Sequence, residues 1–188
     1  AASDVYKRQT QNSLVLVHNK RRVIFSMRWG FGFDTKRRPI FNARSETLDT
    51  KPSFKNLIHK NRCIVLSDGF YEWKQNGTSK IPHFICHKDN QILPMAGLCK
   101  WDVDGEGIKK LVFTIITKEA RDSLKHIHHR EPVILTKKAV KSWITVNEPQ
   151  NKPLNVLQDN LDGMISYPVD SYVNTSSNDG VKCISQLN

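Results

Sequence analysis

The stretch RCIVLSDGFYEWK (residues 62–74) decides the fold class, because it holds two kinds of strand on either side of a turn. The apolar middle of RCIVLS is unbroken, which is typical of a strand buried on both faces. Asp68 and Gly69 supply the turn signal. The residues after the turn alternate, so Glu72 shares one face of a second strand with Phe70.

Short strand-like runs continue along the chain in both directions. SLVLV and RVIFSM flank a polar HNKR segment and predict a hairpin. Further strands are predicted at PHFICH (82–87), LPMAGLC (93–99), LVFTIIT (111–117), PVIL (132–135) and GMISYPV (163–169). Helices are predicted over 50–60, 118–126 and 137–145, the last two capped by Thr117 and Thr136. Since strands and helices do not alternate regularly, we predict a mainly antiparallel α+β fold.

Composition narrows the class of protein. The 188 residues suit one domain spanning 1–188. A formal charge of +11 favours an anionic partner, which leaves nucleic acid, acidic lipid and phosphorylated ligands open. The four cysteines contain no C-x-x-C pair, which favours a reducing compartment and free thiols. The longest apolar runs are too short for a membrane span, so no membrane association is expected.

FNARSE (41–46) is the first candidate site. In an extended chain Asn42 and Arg44 project to one side, and an amide beside a guanidinium suits an anionic, oxygen-rich ligand. The alternative is a solvated loop in which Arg44 forms a local salt bridge to Glu46, and the residue types alone favour that loop.

Glu72 is the second candidate. Sharing a face with Phe70, its carboxyl would lie in a partly apolar setting that raises its pKa and makes it usable as an acid or base. An edge strand with Glu72 in solvent is equally compatible with the pattern.

IHHREP (127–132) permits three interpretations. His126, His128 and His129 could bind a metal, but near a helix end they would point in different directions. His128 could instead act as an acid or base, with Arg130 on the same face holding a phosphate. The histidines could also simply lie at the C-terminal end of a helix, where the helix dipole favours them.

MRWGFGF (27–33) combines aromatic residues with glycines and a basic side chain. Trp29 beside Arg28 could form a stacking platform for unpaired bases. An aromatic core cluster explains Trp29 equally well.

The order of these segments resembles one known family. MRWG, FNARSE, KPSF, DGFYEW, MAGL, FTIIT and IHHR-x-P follow each other as in the SOS-response-associated peptidase (SRAP) family, over about residues 23–184. The resemblance implies an open, barrel-like core of mainly antiparallel strands with a few short helices. It further implies a cytoplasmic, nucleoid-associated monomer that binds single-stranded DNA carrying abasic sites and needs no cofactor or metal.

The resemblance also implies a mechanism. In the family the nucleophile is a cysteine exposed as the first residue. Its α-amine condenses with the open-chain aldehyde of an abasic site to a Schiff base, and its thiol then closes a thiazolidine ring. A proposed autoprocessing activity is the source of "peptidase" in the family name.

Matching positions receive roles from the same resemblance. Asn42 would position the N-terminal residue and the sugar, Glu72 would move protons, and His128 would be an acid or base at the opened sugar. The phosphate clamp would be formed by Arg44 and Arg130. The WG element, with Trp29 and Arg28, would lie near the DNA.

The chain departs from the family pattern in three places. It starts at Ala1 and has no cysteine before Cys63, which we interpret as an N-terminal truncation in which residues 1–12 are an unrelated or disordered leader. FGFDTKRRP replaces an aromatic-rich element, and Glu131 replaces a methionine beside the predicted phosphate-binding Arg130. A protein that binds single strands but has lost the nucleophile is therefore the alternative function.

Overall fold

The computed structural model describes residues 12–32, 38–146 and 152–187. Within these ranges the strands are β1 (Asn12–Asn19), β2 (Arg21–Trp29), β3 (Asn42–Arg44), β4 (Arg62–Ser67), β5 (Gly69–Asn76), β6 (Ser79–His87), β7 (Leu93–Val103), β8 (Lys109–Glu119), β9 (Arg130–Pro132) and β10 (Met164–Pro168). The helices are α1 (Leu57–Lys60), α2 (Asp122–Lys125), α3 (Lys137–Ile144) and α4 (Pro153–Val156). Short 3-10 helices cover Ser45–Thr47, Ser171–Asn174 and Val181–Cys183.

Five strands close into a small barrel. They follow the order β2-β1-β4-β7-β8, and β8 pairs back onto β2. The closing contact is parallel and joins Arg28 to Val112 and Trp29 to Phe113, whereas the other neighbours in the ring are antiparallel. The inward side chains form one buried apolar cluster. The predicted mainly antiparallel, barrel-like α+β fold is confirmed.

A three-stranded sheet, β10-β6-β5, packs beside the barrel. On one face Phe70 and Ile85 join the barrel core, and on the other Tyr71 and Phe84 pack in a separate apolar cluster with Val169. Glu72 lies on the barrel-facing side, because it follows Phe70 by two residues in the same strand.

The C-terminal end of β8 brings distant segments together. β7 and β9 lie along one edge of β8, while β2 and then β3 lie along the other. Thr117 consequently pairs with Arg44 on one side and with Pro132 on the other. The FNARSE and IHHREP segments therefore become neighbours across a single strand.

The helix predictions were partly wrong. Residues 118–119 belong to β8, because they pair with β9, and α2 covers only Asp122–Lys125, so Thr117 is a strand residue rather than a helix cap. The helix predicted over 50–60 is limited to α1. The helix predicted over 137–145 is confirmed as α3, where the Thr136 side chain accepts a hydrogen bond from the Ala139 amide at 3.2 Å.

Two further expectations concern the chain ends and the membrane. Residues 1–11 lie outside the described residues, so the leader expected at 1–12 stays a prediction, as does the single domain over 1–188. In the part of the chain that the structure describes, no helix combines the length and the apolar character required to cross a bilayer.

Candidate functional site

β3 presents Asn42 and Arg44 on one exposed face, as predicted. Ala43 between them is fully buried, so the burial alternates as expected for an extended segment. The guanidinium of Arg44 makes no hydrogen bond or ion pair with any residue in the described ranges. Arg44 can therefore approach an anionic ligand without first breaking an internal contact.

Arg130 is held by an internal carboxylate. Its Nη1 and Nη2 donate to the two carboxylate oxygens of Glu46 at 2.8 and 2.9 Å, and Nη2 also donates to the carbonyl of Thr117 at 2.7 Å. These hydrogen bonds from Arg130 lower the pKa of Glu46 to about 2. The predicted alternative, a salt bridge from Glu46 to Arg44, is therefore wrong, because Glu46 pairs with Arg130 across β8.

Glu72 and His128 face each other on the barrel-facing side of β5. The Glu72 carboxylate lies 3.7 Å from His128 Nδ1. Glu72 is only 8% exposed, so the edge-strand alternative with Glu72 in solvent is wrong. His128 Nδ1 also lies 3.0 Å from the carbonyl oxygen of Arg130 and 3.2 Å from its amide nitrogen, which fixes the orientation of the ring. A carboxylate and an imidazole this close can exchange a proton through a bound group.

The other two histidines of the segment are exposed. The ring of His129 packs at 4.4 Å from that of His128, and His126 lies at the end of α2. No group of three or more histidine, cysteine, aspartate or glutamate side chains in the described ranges is arranged to hold a metal ion.

Comparison with known proteins assigns the chain to a family. The model of the family described as SOS response associated peptidase (SRAP) matches residues 4–176. The chain belongs to the SRAP family.

Relatives of this SRAP chain carry related names. The abasic site processing protein HMCES of Gallus gallus is 32% identical over 195 residues, covering 88% of this chain and 58% of the chicken protein. The abasic site processing protein YoqW of Bacillus subtilis is 36% identical over 188 residues, covering 93% of this chain and 82% of that protein. This chain thus spans little more than half of the length of the chicken relative.

Solved structures show the same fold. A protein from Bacteroides thetaiotaomicron superposes with a TM-score of 0.80 at 27% identity, covering 95% of this chain and 82% of that one. A phage-related protein from Bordetella bronchiseptica gives a TM-score of 0.71 at 25% identity, with 85% and 78% covered.

Trp29 of this SRAP chain is a core residue, so the predicted base contact is wrong. Its side chain has no exposed surface, its ring stacks on Phe113 at 6.3 Å, and its Nε1 donates to the carbonyl of Phe41 at 2.8 Å. A base cannot stack on a ring that is already covered on all sides. The other prediction, an aromatic core cluster, is confirmed.

Arg28 lies on the same edge of β8 as Asn42. It is half-buried in a shallow depression that also contains Asp102 and Asp104. It pairs with Val112, three residues before the partner of Asn42, Ile115, or roughly 10 Å along β8. Its DNA contact stays a prediction, as does the effect of the FGFDTKRRP loop, where 33–37 lie outside the described residues.

Glu131 points away from the site into the protein. It is 1% exposed, accepts hydrogen bonds from Arg121 Nε at 2.9 and 3.2 Å, and lies 3.4 Å from Lys118 Nζ. Its charge is thereby balanced within the fold, not presented beside Arg130. Arg121, which was not predicted from the sequence, supplies the hydrogen-bonded counter-charge of this buried carboxylate.

His83 was also missed from the sequence. It is the direct antiparallel partner of Glu72, and it is 9% exposed. The hairpin turn at Gly77, in which Asn76 pairs with Ser79, fixes this register. The Asn-Gly pair alone would not have given this register, because the two loop residues are Gly77 and Thr78, and a loop at Asn76-Gly77 would pair Glu72 with Ile81 instead.

Proposed function

We propose that this protein binds single-stranded DNA and covalently captures abasic sites within it. The observation that carries the proposal is that β3 exposes Asn42 and Arg44, while the buried Glu72 contacts the half-buried His128 at 3.7 Å. Support also comes from membership of the SRAP family and from relatives named abasic site processing proteins.

Binding would rest on charge. The formal net charge of +11 attracts a polyanion, and the unpaired guanidinium of Arg44 suits a phosphate beside the lesion. An abasic site lacks a base, so its sugar can enter a narrow site without the cost of unstacking a base. A strand laid across β3 would then place the sugar next to Asn42 and Glu72.

The covalent chemistry follows from the open-chain aldehyde of an abasic deoxyribose. An α-amine adds to the aldehyde carbon, and water leaves as the C=N bond forms. The sulfur of the same residue then bonds to that carbon, and the thiol proton ends on the nitrogen, which gives a thiazolidine. Proton transfers of this kind suit Glu72 and His128, while the Asn42 amide would hold the sugar hydroxyl or the amine.

The nucleophile must carry an amine and a thiol on one residue, which only a first-residue cysteine provides. Cys63, Cys86, Cys99 and Cys183 are internal and buried, so their thiols cannot fill this role. Ala1 lies outside the described residues. We therefore propose that a cysteine-first form of the protein supplies the nucleophile, and that the peptidase activity named by the family is self-processing that exposes it.

The test compares two forms of the protein. A form expressed from the native start codon, with cysteine as its first residue, is mixed with single-stranded DNA carrying one abasic site and run on a denaturing gel. A band that survives denaturation is expected with the abasic strand and is not expected with an intact strand. No adduct from a cysteine-first form would overturn covalent capture.

A second candidate function is binding without capture. The observation that favours it is that the thiols of all four cysteines are buried. If the native protein has no first-residue cysteine and still binds single strands with a steep salt dependence, this second function is correct. The monomeric state and the association with the nucleoid remain proposals under either function.

A further inference from the structure

A row of three side chains crosses the second sheet beside the candidate site. Pro168 of β10 pairs with His83 of β6, and His83 pairs with Glu72 of β5. Residues directly opposite each other in antiparallel strands place their side chains on the same face, about 5 Å apart. The face that carries Glu72 therefore continues to His83 and Pro168.

A depression of about 270 Å³ opens along this row. Its lining residues come from both strands of the β5–β6 hairpin, near the turn, and from β10, namely Lys74, Gln75, Asn76, Ile81, His83 and Pro168. Its volume lies just below the usual range for small-ligand sites, so it suits one small group. The depression adjoins the candidate catalytic carboxylate, since His83 borders both.

His83 offers a hydrogen-bond acceptor at the floor of this depression. Its Nδ1 lies 3.1 Å from the carbonyl oxygen of Ile81, so in the neutral ring Nδ1–H donates to that oxygen and Nε2 is left as an acceptor. Burial lowers the pKa of His83, with smaller contributions from the charges of Lys74 and His126, which favours the neutral ring. Nε2 has no hydrogen-bond partner among the residues that the structure describes.

Lys74 supplies a cation at the rim. Its charge acts on His83, which places the ammonium nearby, and it forms no ion pair with any carboxylate in the described ranges. Ile81 and Pro168 add apolar walls. One buried acceptor, one unpaired cation and two apolar walls together match a nucleotide, which has base N–H donors, a phosphate and flat apolar surfaces.

We propose that this depression binds the nucleotide directly next to the abasic site, with an N–H of its base donating to His83 Nε2 and its phosphate beside Lys74. The inference rests on the proposed function and adds a second contact point for the strand. Each of the four bases carries an N–H donor on its pairing edge, so the subsite would accept any sequence. It would contact only one of the two neighbours of the lesion, since the depression lies on one side of Glu72.

The experiment uses three short single strands that carry a stable abasic analogue at the 5′ end, at the 3′ end or in the middle. Fluorescence anisotropy gives the dissociation constants of the wild type, His83→Phe, His83→Gln and Lys74→Gln. His83→Phe keeps a planar ring and removes the acceptor, whereas His83→Gln keeps a side-chain oxygen. His59→Phe, on the exposed face of α1, is the matched control, and thermal unfolding verifies that every variant folds.

His83→Phe should weaken binding about threefold to tenfold for the strand with the analogue in the middle and for one of the two strands with the analogue at an end, as expected for one hydrogen bond. Binding of the strand with the analogue at the other end should be unaffected, and His83→Gln should recover part of the loss. Lys74→Gln should weaken binding of the same two strands. It should also reduce the slope of log K against log salt concentration by about 0.7. Equal loss on all strands, or no loss, would overturn the subsite while leaving the proposed function in place; a wild type that binds none of the strands would overturn both.

Discussion

Arg130 donates a hydrogen bond to each carboxylate oxygen of Glu46, at 2.8 and 2.9 Å, although the two residues are 84 positions apart in the chain. The pair ties β9 to the 3-10 helix that follows β3. An arginine expected to bind phosphate thus already pairs with a carboxylate, while Arg44, on the other side of β8, pairs with none in the described ranges. If Arg130 binds a DNA phosphate as proposed, that phosphate competes with Glu46.

Glu46→Gln should strengthen binding to single-stranded DNA, because it releases Arg130 from a charged acceptor. We expect a severalfold lower dissociation constant at low salt. The slope of log K against log salt concentration should be steeper by about 0.7, the value for one additional phosphate contact on a single strand. Anisotropy titrations at several salt concentrations measure both. Asp49→Asn, at an exposed site three residues after Glu46, changes the net charge equally and is the control.

The same effect in Asp49→Asn would mean that only net charge matters. Weaker binding by Glu46→Gln would mean that the carboxylate positions Arg130 for the phosphate instead of competing with it. An Arg130→Gln background separates these outcomes, since the effect of Glu46→Gln should disappear there.

The Glu46 pair should also contribute to stability in a pH-dependent manner. The pKa of Glu46 is lowered from 4.5 to about 2 in the folded protein, so the contribution is fully present above about pH 4.5 and is lost as the pH falls towards 2. Because the Glu46 side chain is 51% exposed, solvent screening limits this contribution to about 1 kcal/mol or less. Urea unfolding of the wild type and Glu46→Gln at pH 6, 4 and 3 should show a difference that shrinks with acid, and a constant difference would contradict the assignment.

Glu131→Gln should destabilise the fold without affecting DNA binding. It leaves Arg121 and Lys118 close together without their buried counter-charge, which costs on the order of 3 kcal/mol. Urea unfolding measures the loss, and anisotropy measures the affinity for DNA. Glu119→Gln on the neighbouring strand β8 is the control, since that carboxylate is largely exposed and should contribute little. Unchanged stability together with tighter DNA binding would mean that Glu131 acts on the DNA and not on the core.

Most of the strands and one face of the site could be predicted from the sequence, because these depend on local alternation. β5, the β1–β2 hairpin and the shared face of Asn42 and Arg44 follow from a period of two. The prediction of a helix over 118–126 was wrong because of a contact between strands that are distant in sequence. Ala120, Leu124 and Ile127 are buried as a helix face would be, but β9 pairs with β8 as far as Glu119 and delays the helix.

The contacts that define the site are long-range and have no local signal. Glu46 meets Arg130 only because β3 and β9 lie on opposite edges of β8, and Trp29 is covered only because the barrel closes between β2 and β8. Both depend on which strands become neighbours, and that cannot be inferred from the residues of either segment alone.

Glu72→Gln and His128→Gln should each slow formation of the covalent adduct by about 10²-fold or more, the range for loss of an acid or base. The noncovalent affinity for an abasic analogue should change little, since the proposed phosphate contacts come from other side chains. Single-turnover gel assays with the cysteine-first form measure the rate. His129→Gln is the matched control, because His129 is adjacent in sequence but exposed and outside the Glu72 contact. Equal slowing by His129→Gln would exclude a specific role for His128.

Intact mass spectrometry of the adduct tests covalent capture most directly. For a cysteine-first form and an abasic strand, the account predicts a species whose mass equals the sum of protein and DNA minus one water, with the DNA attached to the first residue after proteolytic mapping. Attachment to an internal lysine or cysteine, or no covalent species at all, would contradict it.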